Sequence, residues 1–142
     1  LEDGIEFIKN NKGVFDVIMV DSTDPVGPAV GLFSGDFYRL VYESLKVDGL
    51  FVAQTESPFF NKDLIRQTNK DINAIFPITR LYLASIPTYP SGLWSFTMGS
   101  KTYDPLLVNE SKLHEIADTK YFTPEIFGAA FKLPRFVRDL VV

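Results

Sequence analysis

Residues 15–20, Phe-Asp-Val-Ile-Met-Val, are apolar at all positions but one. A short run of that kind predicts a strand covered on both faces, and hence a parallel sheet. Upstream, Ile5, Phe7 and Ile8 predict the apolar face of a short helix. Asp3 followed by Glu6 resembles an acidic capping box at its start, and Asn10-Asn11-Lys12-Gly13 ends it. Residues 23–35 hold two prolines and three glycines with no periodic signal, which predicts a long loop. Apolar positions between Asp36 and Lys46 then recur at helical spacing, and Asp48-Gly49 predicts a stop before a strand over Leu50–Gln54. A second helix is predicted from about Lys62 to Phe76, with Leu64, Ile65, Ile72 and Ile75 inward and Pro77 closing it. Strands over Thr79–Ile86 and Leu93–Ser100, joined by the short Pro87-Thr88-Tyr89-Pro90-Ser91-Gly92, predict antiparallel neighbours. Past Lys101 the pattern weakens, and Thr123-Pro124 and Leu133-Pro134 predict two short helices with proline at the first helical position. The order strand, loop, helix, strand with a closing hairpin reads as one α/β domain with a mixed sheet.

Composition narrows the class. A chain of 142 residues, 46% hydrophobic and 14% aromatic, suits one domain with a real core. No apolar run approaches the roughly 20 residues of a membrane helix, and there is no basic-then-apolar leader, so the expectation is a soluble chain without membrane partners. Zero cysteines exclude disulfides and thiolate chemistry and permit a cytoplasmic setting. His114 is the single histidine and has no companion for a metal site. A net charge of −4 without a Lys/Arg cluster argues against nucleic acid.

The chemistry concentrates where the first apolar run stops. Ligands of open α/β sheets bind outside the carboxyl ends of the strands, and Asp21-Ser22-Thr23-Asp24-Pro25 sets Asp21 and Asp24 there. Two acids invite a cationic substrate, although the same residues are ordinary turn formers. Other positions stay open on spacing alone. Gln54 ends the next strand and suits a backbone partner as well as a ligand. Glu56 either reaches the same crevice or faces solvent. Asp3 is explained by helix capping. Tyr89 in the hairpin covers the core edge, and Trp94 with the many phenylalanines reads as core or dimer contact.

The run Val17-Ile18-Met19-Val20-Asp21-Ser22-Thr23-Asp24-Pro25-Val26-Gly27-Pro28 resembles the signature of the spermidine synthase (polyamine aminopropyltransferase) family in its bacterial form. The resemblance continues in register through Leu32-Phe33, Phe37-Tyr38, Leu45-Lys46-Val47-Asp48-Gly49, Gln54-Thr55-Glu56-Ser57 and Ile86-Pro87-Thr88-Tyr89-Pro90-Ser91-Gly92. It implies a partial Rossmann-like, S-adenosylmethionine-dependent methyltransferase fold. The implied reaction is aminopropyl transfer from decarboxylated S-adenosylmethionine, the co-substrate, to putrescine, without a metal. Asp21 matches the family's catalytic base, while Asp24, Gln54 and Tyr89 match a substrate clamp around the diamine. Asp3 with Gly4 matches the pair that meets the adenine amino group, and Pro28 a loop residue packing on the adenine. Residues 23–35 would close over both substrates as a lid. Thr23 and Pro58-Phe59-Phe60 depart from the commonest family pattern without removing a charged group.

The resemblance also implies a homodimer or homotetramer, and it places a Gly-rich loop, an acid for the ribose and an N-terminal β domain before Leu1. Residues 1–142 then form the C-terminal part of the catalytic domain. An isolated chain is expected to lack half its site, to be inactive alone, and to expose the edge of the 15–20 strand. The competing readings are a noncatalytic polyamine-binding or scaffolding chain and a putrescine N-methyltransferase.

Overall fold

The computed structural model describes residues 3–22, 27–116 and 118–141. Helix α1 (Gly4–Asn10) leads into strand β1 (Phe15–Val20). A 3-10 segment (Gly27–Phe33) and helix α2 (Gly35–Ser44) carry the chain to strand β2 (Leu45–Gln54). Helix α3 (Lys62–Asn73) precedes strands β3 (Ile78–Ser85) and β4 (Leu93–Ser100), and three short helices close the order: α4 (Glu110–His114), α5 (Pro124–Ala130) and α6 (Arg135–Arg138). The four strands form one sheet in the order β1-β2-β4-β3, with β1 parallel to β2 and the remaining pairs antiparallel. This is the mixed sheet with a closing hairpin that the pattern predicts. Among the described residues no helix is long and apolar enough to cross a membrane.

Side chains alternate across the sheet. Ile18, Phe51 and Ala53 face α2 and α3, where Phe37, Tyr38, Val41, Ile72 and Phe76 complete the main core. The row formed by Gln54, Phe96 and Tyr82 points the other way; there Tyr82 stacks on Phe96 at 5.1 Å and meets Phe131, just past α5, at 5.4 Å. A smaller cluster of Ile65, Leu81, Val137 and Leu140 seats α6.

Several boundaries differ from the sequence expectation. Residues 27–33, expected as loop, wind into 3-10 turns, and Ser34 caps α2 by accepting from the Phe37 N–H at 3.2 Å. That helix stops at Ser44, two residues early, because Leu45 pairs with Phe15 and buries its side chain in the core. The next matched pair is Val17 with Leu50, so residues 46–49 bulge out of the ladder. The predicted Asp48-Gly49 stop falls inside this excursion, where a Cβ on Gly49 would sit 2.7 Å from that of Leu45. The expectation that β1 is covered on both faces also fails in this chain. Ile18 is buried, but Val17 is 48% and Met19 79% exposed, since among the described residues β1 pairs only with β2 and no helix covers that face. The short helices α4 and the 3-10 turn Pro105–Leu107 were not announced by the pattern, and Pro134 caps α6 rather than opening it.

Candidate active site

The carboxyl ends of β1 and β2 lie side by side because the strands are parallel. The antiparallel β4 brings its own beginning, and the hairpin before it, to the same rim. Asp21 and Ser22 follow β1, Gln54 ends β2, and Glu56-Ser57 follow it. Tyr89 sits in a connection closed by hydrogen bonds from Ile86 N to Gly92 O at 2.7 Å and from Gly92 N to Tyr89 O at 3.0 Å.

Three hollows meet at this rim. One, of about 280 Å³, is bordered by Asp21, Gln54, Tyr89, Trp94 and apolar Val52 and Ile86. A second, of about 300 Å³, runs past Ser22, Gln54, Glu56, Ser57, Asn61 and Tyr89. The third, of about 410 Å³, lies on the other side of Asp21, between Gly4 and Ile8 of α1 and Leu32 and Phe37. Among the described residues bordering these hollows the charged side chains are Asp21 and Glu56, both acids. A cation is the ligand such a rim attracts.

Asp21 is exposed at the junction of two hollows. Asp24 lies outside the described residues, as does the side chain of Pro28, whose backbone belongs to the 3-10 segment. Asp3 caps α1, its Oδ1 accepting from the Ile5 N–H at 2.8 Å; Glu6, the other half of the expected capping box, instead pairs with Lys9 at 3.4 Å. Gly4 opens that helix on the third hollow. The fold therefore gathers Asp21, Gln54 and Tyr89 around one hollow and sets Gly4 beside Asp21 in another.

Two residues of the rim do more than their local sequence indicates. Glu56 is not a solvent-facing acid: it is 3% exposed, sits at φ 71°, and accepts a hydrogen bond from Gln54 Nε2 at 3.0 Å. The usable signal was its separation of two from Gln54, the spacing that returns an extended chain to the same face. Trp94, expected in core or dimer contact, is buried but also forms a wall of the site. Its Nε1–H donates to Gln54 Oε1 at 2.8 Å and its ring lies 4.5 Å from that of Tyr89. Below them a buried hydroxyl ladder joins Thr55 to Ser95 at 2.9 Å and to Thr97 at 3.2 Å, while Ser57 meets Ser91 of the hairpin at 2.9 Å.

The spermine/spermidine synthase domain matches residues 1–111. The chain belongs to that family. A polyamine aminopropyltransferase of Caldicellulosiruptor saccharolyticus is 64% identical over 141 residues, which are 99% of this chain and 50% of the relative. The protein of the same name from Moorella thermoacetica is 59% identical over 140 residues, 99% of this chain and 49% of the relative. Among solved structures, a spermidine synthase in complex with the transition state analogue AdoDATO superposes with a TM-score of 0.91 at 41% identity, covering 97% of this chain and 48% of that one. Spermidine synthase from Thermotoga maritima gives 0.90 at 40% identity, covering 99% and 48%. The chain thus spans about half the length of the family members it matches, and its α/β sheet is part of their S-adenosylmethionine methyltransferase-like fold.

Proposed function

We propose that this spermidine synthase family chain carries the diamine side and the catalytic base of an aminopropyltransferase, the remainder of the site coming from the half of the family's length that it does not span. The observation that carries the reading is the place of Asp21, shared by a hollow walled by Tyr89, Trp94 and Gln54 and by another walled by Gly4, Ile8, Leu32 and Phe37. A group that takes a proton from one substrate as it attacks another must border both.

In this reading putrescine lies in the acidic hollows, its methylenes along Val52, Ile86 and Trp94 and its nitrogens toward Asp21 and Tyr89, with Glu56 as a further anionic wall; Asp24 is assigned to the same diamine from its match to the family signature alone. Decarboxylated S-adenosylmethionine lies across Asp21, its adenosine toward Asp3, Gly4 and Pro28. Putrescine is dicationic at neutral pH, and a protonated nitrogen has no lone pair. The Asp21 carboxylate holds the ammonium and accepts its proton. The freed lone pair forms a bond to the methylene carbon beside the sulfonium as the C–S bond breaks. That bonding pair stays on sulfur, leaving neutral methylthioadenosine and spermidine. Negative charge around the amine favours its approach to a sulfonium that would otherwise repel it. Homo-oligomerisation belongs to the same proposal.

The test uses the gene product that contains this chain, supplied with putrescine and decarboxylated S-adenosylmethionine. Methylthioadenosine should form, and Asp21→Asn should slow its formation by about a hundredfold or more while calorimetric binding of methylthioadenosine stays within about twofold. Full activity in Asp21→Asn removes the base. Methyl transfer from S-adenosylmethionine in place of aminopropyl transfer would identify an N-methyltransferase, and failure to bind either putrescine or methylthioadenosine would leave a scaffold.

A further inference from the structure

We infer that Gln54 is a positioning residue, a cross-brace that aims the Glu56 carboxylate and steadies the strand tip bearing Asp21, and that it is not a ligand of the amine. The inference rests on the aminopropyl-transfer reading of the same site.

The Gln54 amide is hydrogen-bonded on every side by the protein. Gln54 Nε2 donates to the Ser22 carbonyl at 2.9 Å and to Glu56 Oε1 at 3.0 Å. Gln54 Oε1 accepts from Trp94 Nε1–H at 2.8 Å and from the Glu56 N–H at 3.3 Å. A carboxamide has two hydrogens and two acceptor positions, so the protein itself engages its whole capacity, and the residue is 8% exposed. Its orientation is not arbitrary either. An indole N–H only donates and a carbonyl only accepts, so the oxygen must face Trp94 and the NH₂ must face Ser22. One amide thus joins the end of β1, the segment after β2 and the start of β4.

The part most in need of the brace is Glu56. It is a non-glycine residue in the left-handed region at φ 71°, a conformation that persists only where surroundings enforce it. Its backbone oxygen is held by Ser95 N at 3.0 Å and Ser95 Oγ at 2.8 Å. Those bonds set the main chain, and the Gln54 amide holds one oxygen of the carboxylate. A buried carboxylate without such donors is costly and turns toward other partners.

Gln54→Glu separates the two roles by sign. It preserves size and shape but replaces the donating NH₂ with an oxygen facing the Ser22 carbonyl and Glu56. A ligand role predicts that the added negative charge holds the diammonium substrate better, so KM for putrescine falls or stays. The brace predicts that Glu56 is displaced and KM for putrescine rises about tenfold or more, while methylthioadenosine affinity is kept. Trp94→Phe, which deletes the indole donor and keeps a ring against Tyr89, should shift KM in the same direction. The double variant should cost less than the product of the two effects. A readout independent of turnover is hydrogen exchange of the Trp94 indole N–H, slow in the native protein and accelerated in Gln54→Met. A folded Gln54→Glu enzyme with unchanged or lower KM, multiplicative effects in the double variant, or unchanged indole exchange in Gln54→Met overturns the inference. A native protein that forms no methylthioadenosine, with indole exchange responding as expected, overturns the reaction assignment and leaves the brace standing.

Discussion

Tyr38 is 1% exposed between Phe37 and Phe51, and burial pushes its phenol up from 10.0 to about 12. The folded chain therefore keeps a proton there that the unfolded chain releases. Stability present below pH 10 is thus lost as pH rises toward 12. Urea unfolding at about pH 8 and about pH 11 should show a loss of about 1 kcal/mol that is missing from Tyr38→Phe. At this scale the sequence is readable where a residue acts by its own chemistry at a strand end, as Asp21 does. Glu56 was harder, because its burial and left-handed backbone depend on Ser95 and Gln54, one of them distant in the chain. Trp94 has an indole N–H whose partner lies 40 residues away, and no local pattern names it.

Among the elements, β4 shows most plainly how packing constrains one position. A Cβ on Gly99 would sit 2.7 Å from the Phe76 ring. That ring cannot retreat, since it stacks on Phe51 at 5.9 Å and meets the edge of Tyr42 at 5.1 Å. Gly99→Ala should cost about 1–3 kcal/mol of stability by overpacking, visible as a lowered Tm, and Phe76→Leu in the same chain should return part of it. Periodicity announced both strands of the hairpin, α1, α3 and the position of β1, because apolar spacing is a local property that survives folding. It misjudged the end of α2. Propensity alone extends that helix to Lys46, whereas pairing of Leu45 with Phe15 and burial of its side chain end it at Ser44. The bulge at 46–49 is likewise a product of register, with the Lys46 ammonium on the Asp16 carboxylate at 2.8 Å and the Lys101 ammonium on the Leu45 carbonyl at 2.7 Å tying it down.

Across the whole molecule, α2 and α3 cover one face of the sheet and α5 lies against β3 on the other, while among the described residues β1 stands at the sheet's edge with Met19 79% exposed. Open strand edges beside apolar side chains recruit partners. The 142-residue chain by itself should sediment as a concentration-dependent mixture of monomer and larger species, and Val17→Lys with Met19→Lys should shift it toward monomer. A single monomeric species at all concentrations would show that this surface is tolerated by water. The rim of the sheet is a property of the same scale, since hollows bordered by acids exist only because three strand ends and a hairpin arrive together.

By itself the sequence determined the principal strands and helices, the α/β class, the hairpin and the strand-tip acid, all of which follow from spacing and side-chain chemistry within a few residues. Tertiary structure decided which surfaces stay open and which donor meets which acceptor. Gln54 reaches Ser22 across 32 residues and Trp94 across 40, and both partnerships depend on strand register. A shift of one residue would turn that amide to the other face of the sheet.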